Sequence, residues 1–108
     1  MSYKILSIPL FDKQAKRLAK KYPSLKKDLT ELLENLADNP EQGTALGHGF
    51  YKIRLAIASK GKGKSGGGRI ITYVKVTATT VFLTSIYDKT EKSTITDKEL
   101  QQIFKLIP

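Results

Sequence analysis

At mid-chain the hydrophobic period changes from the spacing of helices to the alternation of strands, and that switch constrains the fold. Phe11, Ala15, Leu18 and Tyr22 recur at helical spacing. Pro9 suits the first turn of that helix, and Pro23 interrupts and restarts the pattern. Leu25, Leu29, Leu32, Leu33 and Leu36 then form a second apolar stripe, which ends near Asn39 because the residue before Pro40 is pushed out of the α region. After a loop from Pro40 to Gly49 the period becomes two. Tyr51, Ile53, Leu55 and Ile57 alternate with Lys52, Arg54, Ala56 and Ala58, giving one apolar and one mixed face.

The segments Ile70 to Val76 and Thr80 to Tyr87 read as two further strands, and the short apolar run Ser2 to Ile8 as a first one. Thr96 followed by Glu99 is a capping-box signature, and Leu100, Ile103, Phe104 and Ile107 supply the apolar side of a last helix. The predicted order is β-α-α-β-β-β-α, read as one domain over residues 1–108. Consecutive strands with short connections predict an antiparallel meander. The expected class is α+β: a small antiparallel β-sheet with an N-terminal helical hairpin and a C-terminal helix.

Charge narrows the function. Nineteen Lys and Arg stand against ten Asp and Glu, for a net +9. The excess is segregated: from Gln42 to Tyr87 there is no carboxylate, while Lys52, Arg54, Lys60, Lys62, Lys64, Arg69 and Lys75 all fall in that span. So one-sided a surface attracts a polyanion. The chain has no cysteine and a single histidine, His48, which removes a cysteine nucleophile, a thiolate metal site and a His-rich centre. His48 lies between Gly47 and Gly49 and suits a turn or an RNA-edge contact. No run of about 18 apolar residues is present, and the N-terminus lacks a signal-peptide core, so the expectation is a cytoplasmic protein with no membrane partner.

The loop SKGKGKSGGG, residues 59–68, imitates two phosphate-binding motifs. Gly61 to Gly66 satisfies G-x-G-x-x-G, and Gly63-Lys64-Ser65 resembles the end of a P-loop. Both motifs need a helix after the glycines. A β-branched strand follows here, and Ala58 stands where the first P-loop glycine would fall. No nucleotide or other cofactor is expected.

The residues that carry chemistry are basic. Lys52 and Arg54, two apart on a strand, project from one face. Arg69 opens the neighbouring strand, and Tyr87 and Lys89 end the next, so a meander can bring these residues together. Lys60, Lys62, Lys64, Lys75 and Lys92 are candidate backbone contacts around them. Arg grips a phosphate through two parallel hydrogen bonds, and Lys acts as a point charge. RNA carries its own nucleophile, the 2′-OH, so cleavage at such a site needs a base and charge stabilisers but no metal. The base is then a Lys or a Tyr. Lys52, crowded by Arg54, is the first candidate; Tyr87 is a proton donor or a stacking platform; Arg54 and Arg69 stabilise developing charge.

Residues 51–73, YKIRLAIASKGKGKSGGGRIITY, with residues 81–96, VFLTSIYDKTEKSTIT, resemble the RelE/ParE superfamily, most of all its HigB-type toxins. The NPEQG segment at 39–43 fits as well. The resemblance implies a toxin of a toxin–antitoxin pair. It implies cleavage of mRNA in the ribosomal A site without metal, and an antitoxin that blocks the basic face. Lys52 and Arg54 match the family's paired basic residues on its second strand, Arg69 the arginine opening the next, and Lys89 a basic residue after the fourth. Many relatives carry a tyrosine in that last segment; Thr90 to Glu99 has none, and Tyr87 lies earlier. Two alternatives remain: a gyrase-poisoning toxin of the ParE type with the same fold, and a non-enzymatic basic RNA-binding module.

Overall fold

The computed structural model describes residues 2–61 and 63–108, and of Lys64 the backbone alone. The chain runs through β1 (Lys4–Ser7), α1 (Pro9–Lys21), α2 (Leu25–Asp38), β2 (Thr44–Gly47), β3 (Phe50–Leu55), a single helical turn α3 (Gly63–Gly66), β4 (Gly68–Lys75), β5 (Thr80–Asp88) and α4 (Asp97–Phe104). The strands form one sheet in the order β1-β5-β4-β3-β2. Pro9 opens α1, Asn39 caps α2, and the reciprocal Thr96–Glu99 capping box starts α4, each at its expected place.

Two features go beyond the sequence reading. The first strand joins the meander in parallel, Lys4 to Ser7 lying beside Thr80 to Leu83, so the antiparallel sheet gains one parallel edge. The stretch read as a loop before Gly49 also holds a strand, β2, joined to β3 through His48 and Gly49. Both residues have positive φ, 56° and 89°, the geometry of a tight hairpin turn. Gly-His-Gly was a usable turn signal, but only with strand patterning before it, and Thr44 to Gly47 is mostly exposed.

The alternation in β3 to β5 builds two cores. On one face Ile53, Leu55, Ile70, Val81 and Ile86 pack under Phe11, Leu18, Leu25 and Leu36 of the helical hairpin. On the other, Phe50, Ile71 and Tyr87 pack under Leu100 and Ile103 of α4. Beyond Ser7 the β5 edge loses its strand partner, and α1 covers it. Gln14 Oε1 accepts from the Ile86 amide at 3.0 Å and from the Ser85 hydroxyl at 3.1 Å. An open edge is thus closed by a side chain.

The end of β5 is tied to the β3–β4 connection. Asp88 is fully buried, and its carboxylate accepts from Lys60 Nζ at 2.5 Å, Tyr22 Oη at 2.5 Å, and the amide and hydroxyl of Thr90 at 3.0 and 2.8 Å. Gly67 fits the same junction because it has no side chain: a Cβ there would lie 2.1 Å from the Leu55 carbonyl oxygen. Burial alone pushes the Asp88 carboxyl up, but the donors from Lys60, Tyr22 and Thr90 outweigh it and hold it well below the usual carboxylate range.

A carboxyl depressed in the folded state stabilises above its unfolded value, near 4, and that stability is lost as pH falls toward the folded value. Denaturant titrations should therefore show stability declining below about pH 5, and the decline should flatten in Asp88→Asn. At pH 7, Asp88→Ala should cost about 3–5 kcal/mol because Lys60 is left buried and unpaired, while Lys60→Met with Asp88→Leu should cost much less.

Candidate active site

Strand register assembles the site. Arg54 on β3 lies opposite Arg69 on β4, and Arg69 lies opposite Tyr87 on β5. These three residues form one row across the sheet, with neighbouring backbones about 4.8 Å apart. The next row, toward the sheet centre, is Lys52, Ile71 and Ser85. Lys52 and Arg54 share a face with Phe50, so the cations belong to the α4 side of the sheet, beyond the part that α4 covers.

The row is open at one end and covered at the other. Arg54 is exposed and Lys52 half-buried. Arg69 and Tyr87 are each only 5% exposed. The Arg69 guanidinium donates from Nη1 to the Gly68 carbonyl at 3.0 Å and from Nη2 to the Ser65 carbonyl at 3.3 Å, so the α3 turn holds it in place. Tyr87 lies under the segment leading into α4. Lys92 Nζ stands 5.9 Å from its ring centroid and pairs with Glu99, and Lys89 Nζ donates to the Ser93 carbonyl at 2.5 Å. The Tyr87 hydroxyl has no hydrogen-bond partner among the described residues. Burial raises its pKa against the opposing Arg69 charge, with a smaller upward push from Glu99. At neutral pH it is a phenol, able to give a proton and poorly able to take one.

Lys52, Arg54, Arg69 and Tyr87 thus come together, with Lys89 and Lys92 on the covering segment beside them. Two expected backbone contacts stand apart from the row. Lys60 leaves the patch: its side chain is 7% exposed and its ammonium pairs with Asp88, which alternates with Tyr87 and faces the helical hairpin. Lys75 stands six residues from Arg69 on β4, about 20 Å away at strand spacing, beside the turn into β5. Lys62 lies outside the described residues, as does the side chain of Lys64. The sequence reading missed Asp88 altogether. Its signal was present, since it is the first carboxylate after the acid-free span and follows Tyr87 directly.

The imitation phosphate motifs find no support, because the one helical turn at Gly63–Gly66 lies within the glycines and β4 follows it. Among the described residues no three of His, Cys, Asp and Glu gather as metal ligands, and no helix is long and apolar enough to cross a membrane. A groove of about 740 Å³ lies between the β2–β3 hairpin and α4, lined by Leu46, His48, Phe50, Leu100 and Phe104. It places His48 at a turn beside an apolar surface, away from the cationic row.

Comparison with known proteins agrees with this architecture. Two solved structures of the E. coli RelE toxin share the fold. One is a doubly substituted arginine-to-alanine mutant in the free state, at 17% identity and TM-score 0.66 over 100% of both chains. The other is the isolated toxin, at 16% identity and TM-score 0.64 over 98% of this chain and 100% of that one. The family model for the RelE toxin of the RelE/RelB toxin–antitoxin system matches residues 4–107. The chain therefore belongs to the RelE toxin family, and its kind of partner is an antitoxin.

Proposed function

We propose that this toxin is a ribosome-dependent endoribonuclease that cuts mRNA in the A site through the RNA 2′-OH, without a metal, in the cytoplasm. The observation that carries the reading is the single row Arg54–Arg69–Tyr87 with Lys52 one row in. Three cations and a phenol converge on one side of a sheet. Glu99, the carboxylate whose charge acts on Tyr87, is bound to Lys92. A site of this composition stabilises a doubly charged phosphorane and leaves the nucleophile to the substrate.

The roles follow from exposure and charge. Arg54, at the open end, meets the scissile phosphate and can hold it by two parallel hydrogen bonds. Lys52 beside it takes the 2′-OH proton. Arg69, fixed by the α3 turn, adds positive charge from below. Tyr87 keeps its proton at neutral pH and is the group that can give one to the leaving 5′ oxygen. The HigB-type likeness, carried by the Gly-Lys loop, belongs to the same proposal.

Single-turnover cleavage on programmed ribosomes should leave a 2′,3′-cyclic phosphate or 3′-phosphate and a 5′-OH. Lys52→Ala and Arg54→Ala should each lower the rate by roughly 100-fold, the scale of losing a base or a charge stabiliser. Lys52→Arg should fail to restore it, because arginine does not give up its proton near neutral pH. Full activity in Arg54→Ala would contradict the assignment. Expression alone should arrest bacterial growth with loss of translation, and co-expression of the cognate antitoxin should relieve it. Arrest accompanied by DNA breaks and intact mRNA would instead favour gyrase as the target.

A further inference from the structure

Helix α1 has two unlike sides. Phe11 and Leu18 are buried, and Gln14 reaches the β5 edge. At about 100° per residue, Lys13, Lys16 and Lys20 fall within about 60° of one another on the opposite side. All three are exposed. They spread three charges along about 10 Å of helix.

Their charge is not neutralised locally. Asp12 is the single acid of α1, and it accepts from the Ser7 hydroxyl at 2.6 Å. Glu91 pairs with Arg17 at 2.8 Å and Lys21 at 3.6 Å on the flank of the helix. Asp88 is enclosed by Lys60 and Tyr22, with Lys21 at 3.7 Å. Among the described residues no carboxylate lies within 4 Å of Lys13, Lys16 or Lys20. The neighbouring helix differs: α2 carries Asp28, Glu31, Glu34 and Asp38 against Lys26 and Lys27. A helix face kept for solubility alone commonly mixes signs, with acids four residues before lysines. On α1 the one acid so placed, Asp12 four residues before Lys16, is engaged by the Ser7 hydroxyl and makes no ion pair with that lysine.

We propose that Lys13, Lys16 and Lys20 form a second binding surface, fitted to the phosphate backbone of double-helical RNA. The proposal rests on the reading that the toxin works on RNA, and it adds a structured partner to the strand being cut. The stripe points away from the sheet on the helical-hairpin side, whereas Arg54 opens on the α4 side, so the two surfaces engage different RNA segments. Lysines suit the task, since point charges on long stems follow a backbone without reading bases.

The test uses the full chain and a fluorescent 20-base-pair RNA duplex of arbitrary sequence, titrated from about 50 to 300 mM KCl. The variant Lys13→Gln, Lys16→Gln, Lys20→Gln should bind at least tenfold more weakly at low salt. Its log–log salt slope should fall by about two to three, near 0.9 for each phosphate that is no longer neutralised. Its thermal melt should match the wild type, because the three side chains are exposed. Lys52→Ala with Arg54→Ala should keep the duplex slope while abolishing cleavage, which separates this surface from the proposed active site. An unchanged slope in the triple variant overturns the surface and leaves the nuclease reading standing. Polyglutamate that binds the wild type as tightly as the duplex does, and fails to bind the same variant, assigns the stripe to an acidic protein and also overturns the RNA partner.

Discussion

The antiparallel register of β3, β4 and β5 is the constraint on which the rest of the molecule depends. It places Arg54, Arg69 and Tyr87 side by side, and by alternation it turns Ile53, Ile70 and Ile86 to the opposite face. A slip of one residue would exchange those sets, burying cations under the hairpin and exposing isoleucines. Two cores therefore hold the cationic row in place. The hairpin core fixes one face, and the smaller α4 core fixes the other up to the point where Lys52 and Arg54 emerge.

Asp88 secures the same register at its end. It follows Tyr87 on β5, lies opposite Gly68 and holds Lys60 from the β3–β4 connection. One of the cations in the basic span is thus committed to architecture. The connection also supplies Ser65, whose carbonyl receives Arg69. The chemistry of the row and the anchoring of its loop are coupled through two or three residues. Substitutions at Lys60 or Asp88 would consequently act on activity from a distance, by freeing the turn that orients Arg69.

Much of this was legible in the sequence, for identifiable reasons. Helices with strong stripes and flanking prolines showed themselves, as did strands whose β-branched residues alternate with basic ones. Lys52 and Arg54 could be placed on one face by strand parity, and Arg69 and Tyr87 beside them once the three strands were taken to pair as a meander. The short edge strand at Thr44 to Gly47 could not be seen, because it is mostly exposed and lacks an alternating pattern. Nor could the parallel docking of β1, since pairing between residues 4 and 80 leaves no local trace. Lys60 illustrates a further limit. A lysine in a Gly-Lys loop looks solvated until folding brings a buried carboxylate from residues far along the chain.

The central claim is that the row acts on a nucleophile supplied by the RNA itself. The most direct measurement is single-turnover cleavage on ribosomes programmed with an mRNA bearing one 2′-deoxyribose immediately 5′ of the scissile phosphate. The account requires that this substrate bind normally and resist cleavage by at least about 1,000-fold, as expected when the attacking group is removed outright. Cleavage of the deoxy substrate at the normal rate would contradict it.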